Sequence, residues 1–455
     1  MWEKAFSHLI EKDGEHFAFF LAEACTISKG TVLLVKDVIL IDDDEMETEG
    51  FAAKIKLDPL LRVTNTANSK KSVLVEIHNH TDFGGIVNFS GTDLKGFEEF
   101  VPYVLDVLPN RPYGALVVTE KASIEGLIWN HEGKMAPISY VKLIGNNLRK
   151  LITTSGKKLH KHEIPNEQFH ARQILAFGKE GQEKIRNTKV AIVGVGGMGS
   201  HVAQQLAYLG VRNFVIIDPD CVEDTNLNRL IGATPQDIKK PKVDVIKRMI
   251  SQITNNEVVV NPLQKDVRNN DAFDALKGSD VIFGCVDNDG PRLILNELAI
   301  SYLIPYIDCG SGINVEDGKV VEAGGQVMVV RPNGPCLLCA DMINQKEASE
   351  NLQPETVKEN QKRVGYVSNA NVPAPSVVSL NGVIASVAVT EFIKLVIEVE
   401  VSRIFTAYDM LEKREPAIVK RQIDVDAKCL HHSFIGIGDK IHLERYVTNK
   451  KEITC

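Results

Sequence analysis

The stretch from Val190 to Arg229, VAIVGVGGMGSHVAQQLAYLGVRNFVIIDPDCVEDTNLNR, constrains this 455-residue chain more than any other feature. The apolar run Val190 to Val193 reads as a buried parallel strand. Gly194, Gly196, Gly197 and Gly199 then leave room for a tight strand-to-helix turn, and the first backbone N–H groups of that helix can hold phosphates. A second apolar run, Phe214 to Ile217, ends in Asp218 about twenty residues beyond the turn, where a carboxylate can accept ribose hydroxyls. By itself this unit indicates only a nucleotide or dinucleotide.

The residues beyond Asp218 narrow the ligand to ATP. Asn226, Arg229 and Lys242 supply polar and cationic groups where a triphosphate needs neutralising, and a nicotinamide enzyme needs no such cluster. A later apolar strand, Val281 to Val286, runs into Asp287, Asn288 and Asp289, and Asp287 is a suitable end-of-strand carboxylate for hydrated Mg2+. Strand and helix alternate as βαβ units through about residue 330. LNGVIASVAVTEFIKLVIE at 380–398 reads as a helix packed on the sheet, and 403–408 and 417–424 as short closing strands.

With Arg172 in FHARQILAFGKEGQEKI, this order of residues resembles the ThiF/MoeB adenylyltransferases and the adenylation domains of ubiquitin-activating enzymes. The resemblance runs from near Gln168 to the C-terminus and implies a Rossmann-like α/β domain with a mostly parallel sheet. It implies that the C-terminal carboxylate of a ubiquitin-like protein attacks the α-phosphate of ATP, giving an acyl adenylate and pyrophosphate. Asp218 would then hold the ribose, Asn226, Arg229 and Lys242 the phosphates, and Asp287 the magnesium. Arg172 matches an arginine often supplied across a homodimer interface.

A second constellation lies in VEIHNHTDFGGIVNFSGTD, residues 75–93. Alternate strand residues share a face, so His78 and His80 can address one metal, and Asp93, at the start of an expected helix, can add an oxygen ligand. Two histidines and a carboxylate leave a fourth position for water, the arrangement of a catalytic Zn2+ site. Ser90 can donate to a developing oxyanion, and Glu15 in DGEHFAFFLAE is the candidate general base. Glu76 competes with it, since it shares the face of His78 and His80. The pattern resembles the JAB/JAMM (MPN) metalloproteases, α/β domains that cleave peptide or isopeptide bonds after ubiquitin-like proteins. Thr81 stands where that family often has proline, and nine residues separate His80 from Ser90, a longer loop than is common.

Cys336 and Cys339, with Cys429 and His432 some ninety residues later, make a structural Zn2+ site chemically complete, with His431 as an adjacent alternative ligand. No cysteine lies between Ala340 and Pro375, where ubiquitin-activating relatives carry a thioester cysteine. Cys285 and Cys309 sit in apolar strand contexts and read as core residues. Cys221 and Cys455 remain as weak thioester candidates, and otherwise the adenylate passes directly to a partner's thiol, such as that of a conjugating enzyme.

The length suits two domains, and a net charge of −8 argues against broad nucleic-acid binding. No apolar run is expected to approach twenty residues, and the N-terminus has no signal pattern. Both point to a cytoplasmic protein with no membrane partner. Eight cysteines, four placed as metal ligands, suit a reducing compartment better than a disulfide framework. The expected organisation is an α/β metalloprotease-like unit over 1–147, a basic linker over 148–165 and the adenylation domain over 166–455.

The combined reading is a bifunctional enzyme that frees or recycles, and also adenylates, the tail of a ubiquitin-like protein. It resembles bacterial ubiquitin-like conjugation systems, including antiviral ones. Two alternatives stay open: an activating enzyme with a noncatalytic N-terminal tail-binding module, and a sulfur-carrier or peptide-tailoring adenylyltransferase.

Overall fold

A computed structural model describes residues 1–11, 14–27, 30–49, 52–80, 86–159, 168–353, 375–399, 404–413, 417–441 and 443–446. The N-terminal part is built on six strands ordered β2-β1-β5-β6-β7-β8. These are β1 (Phe17–Ile27), β2 (Gly30–Leu40), β5 (Val73–Asn79), β6 (Tyr113–Val118), β7 (Ile124–Trp129) and β8 (Met135–Pro137), while β3 (Met46–Glu49) and β4 (Ala52–Ile55) form a separate hairpin. Only the β5–β6 pair is parallel. Period-two alternation sorts β5 into two faces. Val73, Val75 and Ile77 join the cluster that includes Ala5 and Leu9 of α1 (Trp2–Ile10). Leu74 joins the cluster under α2 (Leu57–Ser69) and α3 (Gly91–Val107), with Phe97, Val101 and Trp129. Glu76 and His78 share the face of Leu74, so these two polar side chains enter the sheet on its α2/α3 side.

The expected linker is instead ordered structure over its described part. Leu148–Ile152 forms β10, paired antiparallel with β9 (Tyr140–Ile144), and Thr154–Leu159 forms the short helix α4. Within this segment Arg149 and Lys157 are exposed, but Lys150 turns inward beside Lys142 of β9. Lys142 and Lys150 reach the buried carboxylate of Asp280 at 2.8 and 3.1 Å. The Lys142 and Lys150 charges hold that carboxyl well below the usual range against the cost of its burial. Residues 160–167 lie outside the described residues.

The C-terminal part is an eight-stranded sheet ordered β13-β12-β11-β14-β15-β16-β17-β18. Its strands are β11 (Lys189–Val193), β12 (Asn213–Ile217), β13 (Val259–Leu263), β14 (Val281–Gly284), β15 (Tyr306–Glu316), β16 (Lys319–Val330), β17 (Phe405–Asp409) and β18 (Ile418–Arg421). The first five in spatial order are mutually parallel and the rest antiparallel. The helices are α5 (Ala171–Asn187), α6 (Gly197–Leu209), α7 (Lys242–Ile253), α8 (Asn270–Lys277), α9 (Asp289–Ser301), α10 (Gln345–Leu352) and α11 (Val378–Val396). Helix α11 has 19 residues and is long and apolar enough to span a bilayer, contrary to expectation. In this fold its face bearing Leu380, Ile384, Ala388 and Phe392 is buried.

The two parts meet through a joint built on the segment Gly438–Ile441. Asp439 accepts from the Thr26 backbone N–H (3.1 Å) in β1, from Lys277 (2.9 Å) in α8 and from the Tyr302 hydroxyl (2.6 Å) after α9. Lys440 pairs with the buried Glu23 of β1. Cys25 and Leu34, from the N-terminal sheet, belong to the same buried cluster as β11 and β12.

Candidate active sites

The Gly-rich turn is enforced by close approach. Gly194 has φ +83°, and a Cβ there would stand 2.5 Å from the Cys285 carbonyl oxygen. A Cβ on Gly199 would meet the Gly194 carbonyl oxygen at 1.9 Å, so any side chain would push α6 off the strand. Asp218, at the end of β12, is buried and accepts from the Val195 N–H (2.8 Å) and the Asp220 N–H (2.9 Å). Burial pushes its pKa up to about 6, opposed by the nearby Lys242 charge. Lys242, the first residue of α7, pairs with Asp220 at 2.8 Å.

The remaining residues expected at this site gather around the same turn. The Arg229 side chain lies 3.3 Å from the Cβ position of Gly197, and its guanidinium donates to the Thr225 carbonyl. Asn226 ends a short 3-10 turn and its Oδ1 accepts from the Glu223 N–H at 3.2 Å. Asp287 is exposed and follows Val286, whose side chain lies 3.1 Å from the Cβ position of Gly194. Two further residues join them. Asn381, buried at the start of α11, has its Nδ2 2.5 Å from the Cβ position of Gly197, and its Oδ1 accepts from Ser311 at 3.0 Å. An asparagine at the start of an apolar helix was the available signal for the first, whereas nothing local marked Ser311.

Arg172 does not reach this turn in its own chain. Neighbouring His170 packs on Gly210, and Gln173 donates to the Tyr208 carbonyl (2.9 Å), both at the far end of α6. The 13 residues of that helix separate Arg172 from Gly197 by about 20 Å. Cys221 takes part in a disulfide, so its sulfur is not the free nucleophile considered from sequence. Cys455 and most of the 340–375 segment lie outside the described residues.

In the N-terminal part, Glu15, His78, His80 and Asp93 each offer a ligand atom, all within 4.8 Å of one another. His78 Nε2 and His80 Nε2 stand 3.7 and 3.4 Å from Asp93 Oδ2, and His80 Nε2 stands 3.5 Å from Glu15 Oε1. The Nε2 of His78 is sealed from solvent and has no hydrogen-bond partner. An orphaned lone pair aimed at a second imidazole and two carboxylates is the donor set of a divalent cation, and two nitrogens with carboxylate oxygens suit zinc. Burial lowers the His78 pKa, but Asp93 and Glu76 outweigh it and raise it to about 9. Burial likewise raises that of Asp93, and His78 brings it down to about 2.

Each ligand is placed by a local device. Ser90 caps α3: its Oγ accepts from the Asp93 N–H (3.1 Å) while Asp93 Oδ2 accepts from the Ser90 N–H (2.5 Å), a reciprocal box that turns the carboxylate inward. Asn79, between the two histidines, accepts from the His16 N–H (2.7 Å) and donates to the Gly14 carbonyl (2.9 Å), pinning both sides of Glu15. Glu76 does not compete with Glu15, because it lies behind His78 with Oε1 3.2 Å from Nδ1. The stretch 81–85 of the long loop, with Thr81, lies outside the described residues.

Cys336, Cys339, Cys429 and His432 form a second donor cluster. Sulfur–sulfur distances of 3.7 and 3.6 Å fit the edges of about 3.8 Å expected of a tetrahedron with zinc–sulfur bonds near 2.3 Å. His432 Nε2 stands 3.2 Å from Cys339 Sγ. His431 is held between Asn296 (2.9 Å) and Glu297 (3.3 Å) and is not one of the four clustered donors, which favours His432 as the ligand.

The chain belongs to the ThiF family, whose model matches residues 170–429. It is 31% identical over 172 residues to the SAMP-activating enzyme E1 of Haloferax volcanii, covering 37% of this chain and 60% of that protein. It is 33% identical over 165 residues to the sulfur carrier protein ThiS adenylyltransferase of Escherichia coli K12, covering 36% and 62%. The chain thus spans less than two thirds of the length of these relatives. A crystal structure of E. coli MccB with ATP aligns with a TM-score of 0.43 at 22% identity, covering 58% of this chain and 74% of that one.

Proposed function

We propose that the C-terminal part adenylates the terminal carboxylate of a ubiquitin-like or sulfur-carrier protein with MgATP, and that the N-terminal part is a JAB/JAMM-type zinc hydrolase acting on bonds formed by the same tail. The observation that carries the first half is the gathering of Asp218, Arg229, Lys242 and Asp287 around one Gly-rich turn, in a chain of the ThiF family. The carboxylate oxygen bonds to the α-phosphorus as the bond to the β-phosphate bridge breaks, and pyrophosphate leaves with the electron pair. Asp218 accepts from the ribose, Arg229 and Lys242 meet the charge gathering on the phosphates, and Asp287 holds magnesium. Exposed Leu175, one turn along α5 from Arg172, supports docking of that helix on a second copy, which would deliver Arg172 to the partner's nucleotide.

In the hydrolase, His78, His80 and Asp93 would hold zinc, which when bound lowers the pKa of a coordinated water. Glu15 takes the proton and returns it to the leaving nitrogen. The Ser90 Oγ accepts from Asp93, so its own O–H is available to the carbonyl oxygen. Joining both sites in one chain raises the effective concentration of a freed tail near the nucleotide.

Pyrophosphate exchange measured against a panel of ubiquitin-like and sulfur-carrier proteins tests the first half. Exchange by the wild type that is lost in Asp287→Ala supports it, and exchange undiminished in that variant refutes the magnesium role. Metal analysis tests the second: two zincs per chain should fall to one in His78→Ala/His80→Ala, and one zinc in both would reduce the N-terminal part to a noncatalytic module.

A further inference from the structure

The two histidines of the N-terminal cluster are not equivalent. His78 is 1% exposed, and behind it runs a largely buried polar chain: the Tyr113 hydroxyl donates to Glu76 Oε2 at 2.9 Å, and Glu76 Oε1 lies 3.2 Å from His78 Nδ1. Tyr113 is fully buried and Glu76 is 8% exposed. The Tyr113 ring packs 5.7 Å from those of Phe100 and Trp129. His80 lies at the open end of β5, and no carboxylate stands behind its ring among the described residues.

A carboxylate so placed has two effects. It accepts a hydrogen bond from the Nδ1–H, so in the neutral ring the lone pair is confined to Nε2, the orphaned atom that faces Asp93. Its negative charge, held where water cannot screen it, also makes the imidazole a stronger base toward a cation. Among the described residues that charge has no lysine or arginine partner, so the His78 imidazole, with whatever cation it holds, is what faces it.

We propose that Glu76, steadied by Tyr113, is a positioning residue that fixes the tautomer of His78 and strengthens its bond to a zinc-class cation, making His78 the anchoring ligand and His80 the weaker one. This rests on the reading that the cluster binds metal. Glu76 touches neither substrate nor the reacting water; it acts through His78.

The test is zinc competition against a chromophoric chelator on the full chain, with cobalt substitution separating the thiolate site, which gives sulfur-to-metal charge-transfer bands, from the nitrogen and oxygen site, which gives only weak visible bands. Glu76→Gln keeps an acceptor for the Nδ1 proton but removes the charge, and should weaken zinc at the N-terminal site by about 10- to 100-fold. Tyr113→Phe should weaken it less, and neither should shift the melting transition of the metal-free protein. Unchanged affinity in Glu76→Gln overturns the proposal. If Glu76→Gln fails to fold, unchanged affinity in a folded Tyr113→Phe overturns it, and weakened affinity there supports it. A wild type that shows only thiolate-type cobalt bands refutes the underlying metal reading instead.

Discussion

The guanidinium of Arg292 closes on the carboxylate of Asp308 through two bonds, 3.1 Å from Nε and 2.7 Å from a terminal nitrogen. The same side chain reaches Asp289 (2.8 Å) and the Met342 carbonyl (2.7 Å), and Tyr306 donates to Asp308 at 2.6 Å. One arginine therefore ties the loop that carries Asp287 to the segment following Cys339.

Arg292→Ala should leave Asp308 buried and unpaired, at a cost of about 3 to 5 kcal/mol, read in chemical denaturation. In preparations that remain folded, the magnesium concentration needed for half-maximal pyrophosphate exchange should rise, and Arg292→Lys should recover part of it. An unchanged magnesium dependence would show that the arginine does not position Asp287.

Nucleotide affinity should depend on pH through Asp218. In the proposed ribose role the sugar hydroxyls would donate to the ionised carboxylate, and burial raises its pKa to about 6. ATP binding measured by calorimetry should therefore weaken as pH falls from 7 to 5, approaching tenfold per unit well below that pKa. For stability the sign is opposite. Between the ordinary carboxyl value and about 6 the native state keeps a proton that the unfolded chain has released, so this group's contribution falls as pH rises through that window. Asp218→Asn should bind ATP weakly and without this pH dependence.

Breaking the Lys142–Asp280–Lys150 cluster should loosen the hairpin of β9 and β10 from the nucleotide-binding sheet. Asp280→Ala strands two largely buried lysine charges and should destabilise the protein by about 3 kcal/mol. Limited proteolysis should then cut between residues 145 and 160 before any other described segment. A cleavage pattern identical to that of the wild type would show that the cluster does not hold the hairpin.

Removing a thiolate from the C-terminal cluster should cost one zinc without touching the other site. Cys429→Ser is expected to lose the cobalt charge-transfer bands and to lower the melting temperature, whereas His431→Ala should retain zinc, because that ring faces Asn296 and Glu297. Loss of zinc in His431→Ala with retention in His432→Ala would reverse the ligand assignment.

Much of this was legible in the residues because it is local. The alternation of β5 puts His78 beside Glu76 on one face, and the Gly turn with Asp218 follows from a strand, a helix and a second strand in immediate succession. Arg229, Lys242 and Asp287 stood out by charge and position, but their meeting at one site came from resemblance, since no spacing rule brings three separate loops to one turn. Ser311 and Tyr113 were out of reach because their roles arise from contacts across tens of residues, 70 to Asn381 and 37 to Glu76. The connector was misread for the same reason. Its Lys150 looks solvated in one dimension, and only the fold supplies Asp280, the buried carboxylate that it shares with Lys142 of β9. The ring of His431 looked equivalent to that of His432 until Asn296 and Glu297 fixed its direction.

The joint at Asp439 bears on where this protein can be divided. A cut after residue 147 follows the change in chemistry, yet it removes the partner strand of Tyr140–Ile144 and uncovers Cys25 and Leu34, which are packed into the other half's interior. The seam that matters is carried by residues near the opposite end of the chain, since Thr26 and Glu23 are held by Asp439 and Lys440. The N-terminal sheet is thus completed by residues some four hundred positions further along the sequence, so an isolated N-terminal piece would leave Thr26 and Glu23 without these partners.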